Sequence, residues 1–156
     1  MTATPTRQAN RRPEVFVIFE ASGMRWAAPV GQVREVLAWT EPMPLPGAPA
    51  GVLGVVKVRG RTLPVLTVPG LEAAGTTRAA PLPGAGRLLL VEVGGRPVVL
   101  ATDSVVTVAK LAPGDGDEVP LGAERGVIAL VEVGEEPTLT VDLDLLLAQA
   151  ATLAPA

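Results

Sequence analysis

A glycine or proline falls at about one position in five of this chain, with 17 glycines and 16 prolines among 156 residues, and that spacing limits what the backbone can build. The two together usually make up about 12% of a protein. Neither suits a helix interior: glycine loses too much backbone entropy, and proline lacks the N–H and clashes with the preceding turn. The apolar residues, 48% of the chain, are cut into runs of a few residues each. This pattern predicts many short strands joined by tight turns, and no run approaches the ~20 residues of a membrane-spanning helix.

Residues 1–13 are polar, contain Arg7, Arg11 and Arg12 and show no apolar period, so they are expected to form a disordered arm. They also lack the apolar stretch of a secretory signal, which suggests a cytoplasmic protein. Val15–Phe19 and Arg25–Ala28 flank Ala21-Ser22-Gly23 as a first hairpin. The apolar positions of Pro29–Val36 fit one helical turn running into a strand. Glu41–Pro49 holds four prolines in nine residues and is expected to be an extended surface loop. Val52–Val58 and Arg61–Val68 are strand candidates around Arg59-Gly60-Arg61, with Pro64 suggesting an edge or a bulge. Leu71–Gly86 has no period and is expected to be a second long loop.

Two hairpins then echo each other. Leu88–Val93, the turn Gly94–Pro97 and Val98–Ala101 resemble Val127–Val133, Gly134–Pro137 and Thr138–Val141; Leu90-Val91-Glu92-Val93-Gly94 recurs as Leu130-Val131-Glu132-Val133-Gly134. A strand at Val105–Val108 and an acidic turn at Pro113–Pro120 lie between them. Two copies do not make a solenoid; a paired-barrel, all-β protein is the economical account. Leu143–Ala150, behind Asp142 or Asp144 as a possible N-cap, predicts a short C-terminal helix, and the tail occupies residues 149–156. The globular part is then a single domain over residues 14–148.

The absence of any His or Cys removes imidazole bases, Ser-His and Cys-His nucleophiles, phosphohistidine relays, zinc fingers, haem and iron–sulfur ligation. Carboxylates remain. Asp103 and Asp142 share a repeated context and could be paired as acid and base, yet neither has the small-residue Gly turn of an aspartic-protease dyad, and local capping is the plainer role. Gly84-Ala85-Gly86 and Gly114-Asp115-Gly116 lack the rest of a phosphate loop. Asp115, Asp117 and Glu118 lack the EF-hand spacing, so neither a cofactor nor a metal site is expected. Charge is uneven: residues 1–110 carry 12 Lys+Arg against 7 Asp+Glu, and residues 111–156 carry 1 against 9. The cations are scattered and the stacking residues are few, namely Phe16, Phe19, Trp26 and Trp39, so nucleic acid is not an expected partner. Arg59 stands apart, since it sits at a turn between apolar strands where its guanidinium emerges at a strand end, placed to clamp a partner's carboxylate; the plainer alternative is an exposed hairpin-turn arginine.

Trp26-Ala27-Ala28-Pro29-Val30, Val33-Arg34-Glu35-Val36, the loop ending Leu45-Pro46-Gly47-Ala48-Pro49, and Val52-Leu53-Gly54-Val55-Val56-Lys57-Val58-Arg59-Gly60-Arg61-Thr62-Leu63-Pro64-Val65 follow one another in an order that resembles the CheW-type chemotaxis coupling domain. Thr102-Asp103-Ser104-Val105 and Val141-Asp142-Leu143 extend the resemblance over residues 14–147. It implies two intertwined five-stranded SH3-like barrels sharing a core, with no enzymatic activity. It also implies an adaptor that joins the cytoplasmic tip of a chemoreceptor to a CheA-type histidine kinase in arrays at the inner membrane, without inserting into it. Carried over residue by residue, the receptor-facing groove would be lined by Val33, Glu35, Arg59, Leu88 and Val105. The sequence departs from the family at Lys57, where a polar residue such as Asn is usual, and at Thr67, where Asp is usual; Lys57 and Arg87 add positive charge near the groove. Other readings are a paralogue serving surface motility or gene regulation, a hydrolase using Asp103 and Asp142, and a β module that binds a peptide by strand addition.

Overall fold

The computed structural model describes residues 13–21, 23–48, 51–67, 86–112, 116–120, 122 and 126–147. Ten strands run through them: β1 Glu14–Ala21, β2 Met24–Pro29, β3 Val33–Ala38, β4 Val52–Val58, β5 Arg61–Leu66, β6 Arg87–Val93, β7 Arg96–Thr102, β8 Ser104–Leu111, β9 Val127–Val133 and β10 Glu136–Val141. A 3₁₀ turn, Val30–Gln32, leads from β2 into β3, and α1, Leu143–Leu146, follows β10. The strands form two five-stranded sheets, β8-β1-β2-β10-β9 and β3-β6-β7-β5-β4. The second is continuous in sequence, whereas the first is assembled from both ends of the chain. The disordered arm expected over residues 1–13 lies outside the described residues except for Pro13, as do the tail at 149–156 and all of the Leu71–Gly86 loop but Gly86.

Both faces of the central strands are buried, which is why they read as continuous apolar runs. On β6, Leu88 and Leu90 point into a cluster with Val56, Leu63, Val65, Val99 and Ala101, to which Leu37 of β3 adds. All five strands contribute to this cluster, so the sheet is curled around it as a barrel. The alternate residues Leu89, Val91 and Val93 point the other way, to a second cluster. On β1, Phe16 and Ile18 join Ala27 inside the first sheet, lined by Ala109, Leu111 and Val133. Phe19 and Ala21 turn to the same second cluster as Leu89. That second cluster unites Phe19, Trp26, Leu66, Leu100, Val141, Leu143 and Leu147 from both sheets and from α1. Two barrels thus share one core.

Three hairpins close through two-residue turns with both residues at positive φ: Arg59 (49°) and Gly60 (81°), Gly94 (58°) and Gly95 (79°), and Gly134 (57°) and Glu135 (68°). This is the turn whose twist matches that of the flanking strands. The repeated Leu-Val-Glu-Val-Gly string therefore reflects a shared hairpin, not equivalent places in the sheets, since β6 is an inner strand and β9 an edge. The turns are also shorter than expected, because Pro97 and Pro137 already pair with Glu92 and Glu132.

Pro64 corrects a sequence expectation. It occupies neither an edge strand nor a bulge of its own strand, because β5 lies between β4 and β7. Its rung with Val55 is a non-bonded one, and Val55 exchanges its N–H and C=O with Met43 on the side of β4 away from β5, at 2.9 and 2.8 Å. The β5–β7 ladder starts only at Val65, so neither neighbour of Pro64 needs the N–H it lacks. The Pro-rich loop is thereby tied to β4, crossing it where Gly54 has φ 152° and a Cβ would stand 2.1 Å from the Met43 oxygen. Gly54→Ala is expected to release that loop and to cost at least about 3 kcal/mol of stability. Gly95→Ala, at φ 79° with nothing within 4 Å of a Cβ, should cost only about 1–2 kcal/mol; urea denaturation of the two variants measures the difference.

Candidate interaction site

β3 is an edge strand of the second sheet, and a register shift between Val33 and Glu35 assigns its side chains to two sides. Val33 and Val36 pair with Val91 and Leu89, on the shared-core side. Glu35 and Leu37 pair with Leu90 and Leu88, on the inner side of the barrel. β8, an edge of the first sheet, has a register shift that leaves Val106 without a paired partner between Val105 and Thr107. Val105 packs against the shared core. Val108 pairs with Val17, which by strand alternation shares the face of Phe19.

The five residues expected to line one groove therefore fall into two sets. Val33 and Val105 sit against the shared core from two edge strands, β3 and β8. Val36, 44% exposed, and Val108, 57% exposed, extend the same sides into solvent. These two were missed from sequence because only the pairing register shows that their strands flank the shared core. Glu35, Arg59 and Leu88 come together on the far side of β3. Arg59 Nη2 donates to Glu35 Oε1, and this hydrogen bond, with the Glu35 charge, raises the guanidinium above its ordinary pKa. The carboxylate that Arg59 clamps is thus the chain's own Glu35 and not, as expected, a partner's. Leu88, 2% exposed, floors a cleft of about 310 Å³ walled by Leu37, Ala38, Thr40, Val56, Lys57, Val58 and Arg59. Arg59 holds a left-handed backbone, φ 49°, which costs a residue with a Cβ energy and persists only where its surroundings fix it.

The remaining departures and carboxylates also have places. Thr67 is buried and donates its N–H to Gly51 O at 2.9 Å. Arg87 is half-buried, with Nη1 on Gly86 O at 2.8 Å. Asp142 is an N-cap: its Oδ1 accepts from Asp144 N and from Gln32 Nε2, both at 2.9 Å. Gln32 Oε1 in turn accepts from Leu143 N at 2.8 Å. Asp103 donates its N–H to Glu20 O at 2.7 Å.

A family model described as "CheW-like domain" matches residues 15–151. The chain belongs to the CheW-like domain family. It is 29% identical over 125 residues to "Chemotaxis protein CheW" of Rhizobium meliloti (strain 1021), covering 74% of this chain and 77% of that one. It is 30% identical over 126 residues to "Protein FrzA" of Myxococcus xanthus, covering 80% and 77%. With "Protein PilI" of Pseudomonas aeruginosa it shares 39% over 74 residues, 47% of this chain and 40% of the relative. The crystal structure of scaffolding protein TtCheW from Thermoanaerobacter tengcongensis superposes with a TM-score of 0.71 at 20% identity, over 86% of this chain and 92% of that one. The CheW-like fold, two SH3-like barrels, is therefore shared with that scaffold.

Within this CheW-like chain, Asp142 works as the N-cap of α1. Asp142→Asn should keep most of the stability and Asp142→Ala should lose about 1 kcal/mol, read by thermal or urea denaturation. The left-handed Arg59 gives a second test. Arg59→Gly should match or exceed the parent in Tm and Arg59→Val should fall below it, because a β-branched residue tolerates positive φ worst.

Proposed function

We propose that this CheW-like protein is a non-enzymatic cytoplasmic adaptor that couples the tip of a chemoreceptor to a CheA-type histidine kinase. The family match across residues 15–151 carries the reading, and the surface chemistry agrees with it. A receptor tip is a helical hairpin, and its apolar stripe suits a trough edged by two strands. Val33 and Val36 of β3 and Val105 and Val108 of β8 offer such a trough over the shared core. Glu35 and Arg59 brace β3 from its other face and so position one wall. Leu88 supports that wall from beneath. With no histidine in the chain, a phosphoryl group carried on histidine belongs to the kinase. The structural use of Asp142 as a helix cap supports an adaptor over a hydrolase built on that carboxylate.

The reading is tested by co-sedimentation with a receptor cytoplasmic fragment and a CheA-type kinase, together with the kinase's phosphorylation rate. Val108→Glu is expected to weaken receptor binding at least tenfold while leaving kinase binding in place, since a charge in the centre of an apolar contact is costly. Arg59→Glu should weaken receptor coupling by setting two carboxylates against each other, and the exchange Glu35→Arg with Arg59→Glu should restore it. A parent protein that joins neither partner, or a Val108→Glu variant that couples like the parent, overturns the assignment.

A further inference from the structure

The barrel of the second sheet does not close its seam. Its edge strands are β3 and β4, and the 310 Å³ cleft lies between them, with Leu37, Ala38 and Thr40 on one wall and Val56, Lys57 and Val58 on the other. At one point the chain spans the free edge of β4 itself, through the reciprocal hydrogen bonds between Met43 and Val55. In an antiparallel strand, backbone groups that leave in the same direction are two residues apart. The N–H and C=O of Lys57 therefore point from β4 the same way as those of Val55, away from β5. The β4–β5 register agrees: Val58 faces Arg61 across the two-residue turn and Val56 faces Leu63, so the bonded rungs alternate with Lys57–Thr62 and Val55–Pro64. Among the described residues no bridge continues the ladder from Val55 to Lys57, and the Lys57 ammonium makes no ion pair there.

We infer that this edge receives an extended, acidic segment of a partner protein as an added strand. The segment pairs its backbone with Lys57, sets a carboxylate against the Lys57 ammonium, and drops an apolar side chain between Leu37, Val56 and Leu88. Three features select this occupant. A helix spends its backbone groups on itself and offers nothing to a strand edge. Along β4, Val56 and Val58 face inward and Lys57 outward, so a segment alternating apolar and acidic residues matches both faces. The β4–β5 hairpin carries Lys57, Arg59 and Arg61, while Glu35 beside it is already paired to Arg59. Residues 1–12 hold three arginines and no carboxylate, and residues 148–156 hold no charged side chain, so neither of these segments matches. The seam lies across β3 from the trough over the shared core, so the inference stands apart from receptor docking.

The test uses the full chain and a labelled ten-residue peptide of alternating Glu and Val, followed by fluorescence anisotropy. Two further peptides carry N-methyl groups on alternate amides, one set for each pairing register. The parent peptide is expected to bind. One methylated register should bind equally well, and the other should lose at least tenfold, because only one set of amides faces β4. A Lys/Val peptide should not bind. Lys57→Pro deletes an N–H that β5 does not use and should also lose at least tenfold. Absence of binding by the parent peptide at 1 mM, equal binding of both methylated registers, or undiminished binding to a folded Lys57→Pro variant would overturn the proposal. The methylation comparison needs no change in the protein, so it decides the matter even if that variant fails to fold.

Discussion

Everything in this molecule depends on a core that belongs to neither barrel. Phe19 and Trp26 from one sheet meet Leu89 and Leu100 from the other, and α1 seals them with Leu143 and Leu146, joined by Leu147 just after it. A sheet that curls on itself hides only one face. The outer faces of β1, β6 and β7 are as apolar as the inner ones and need a second apolar surface. Each barrel supplies that surface for the other. The polar links follow the same plan: Gln32 bonds to Asp142 and Leu143 across 110 and 111 positions of sequence, and Gly94 N donates to Asp144 Oδ1 at 3.1 Å. Each ties the strand–turn framework to the C-terminal helix.

The elements were legible in the sequence because they are local. Gly-Gly and Arg-Gly turns mark hairpins, the unbroken apolar runs of Leu88–Val91 and Val98–Ala101 mark strands buried on both faces, and Asp142 marks a helix start. The topology was not legible, because nothing local records that β8 returns to β1 or that β10 lies parallel to β2. The family resemblance supplied the shared core that periodicity alone could not. Pro64 shows the limit from the other direction: a rule about edge strands fails where the missing N–H would point away from β4 and the β5–β7 ladder has not yet begun. The interaction residues were half legible. Arg59 announced itself as a charge at a turn, but its partner Glu35, 24 positions away, and the opposite sides of β3 occupied by Val33 and Glu35 follow from a single bulge.

That bulge gives β3 two duties. One side faces the common core and the exposed valines beside it. The other carries the carboxylate that fixes Arg59 over the cleft. A strand bound firmly on one side and open on the other suits a protein that meets more than one partner, since contacts on the two sides need not exclude each other.

The discontinuous sheet also imposes an order on synthesis. A ribosome delivers β1 and β2 first, yet β8, β9 and β10, which complete their sheet, come only after residues 30–103 have been made. The second sheet is contiguous and can close while the chain is still growing. The early hairpin waits, and it holds three of the chain's four aromatic residues, Phe16, Phe19 and Trp26. The stickiest segment of the protein is therefore the one left longest without its permanent neighbours, and the second barrel, once it presents Leu89 and Leu100, is the surface on which it can shelter.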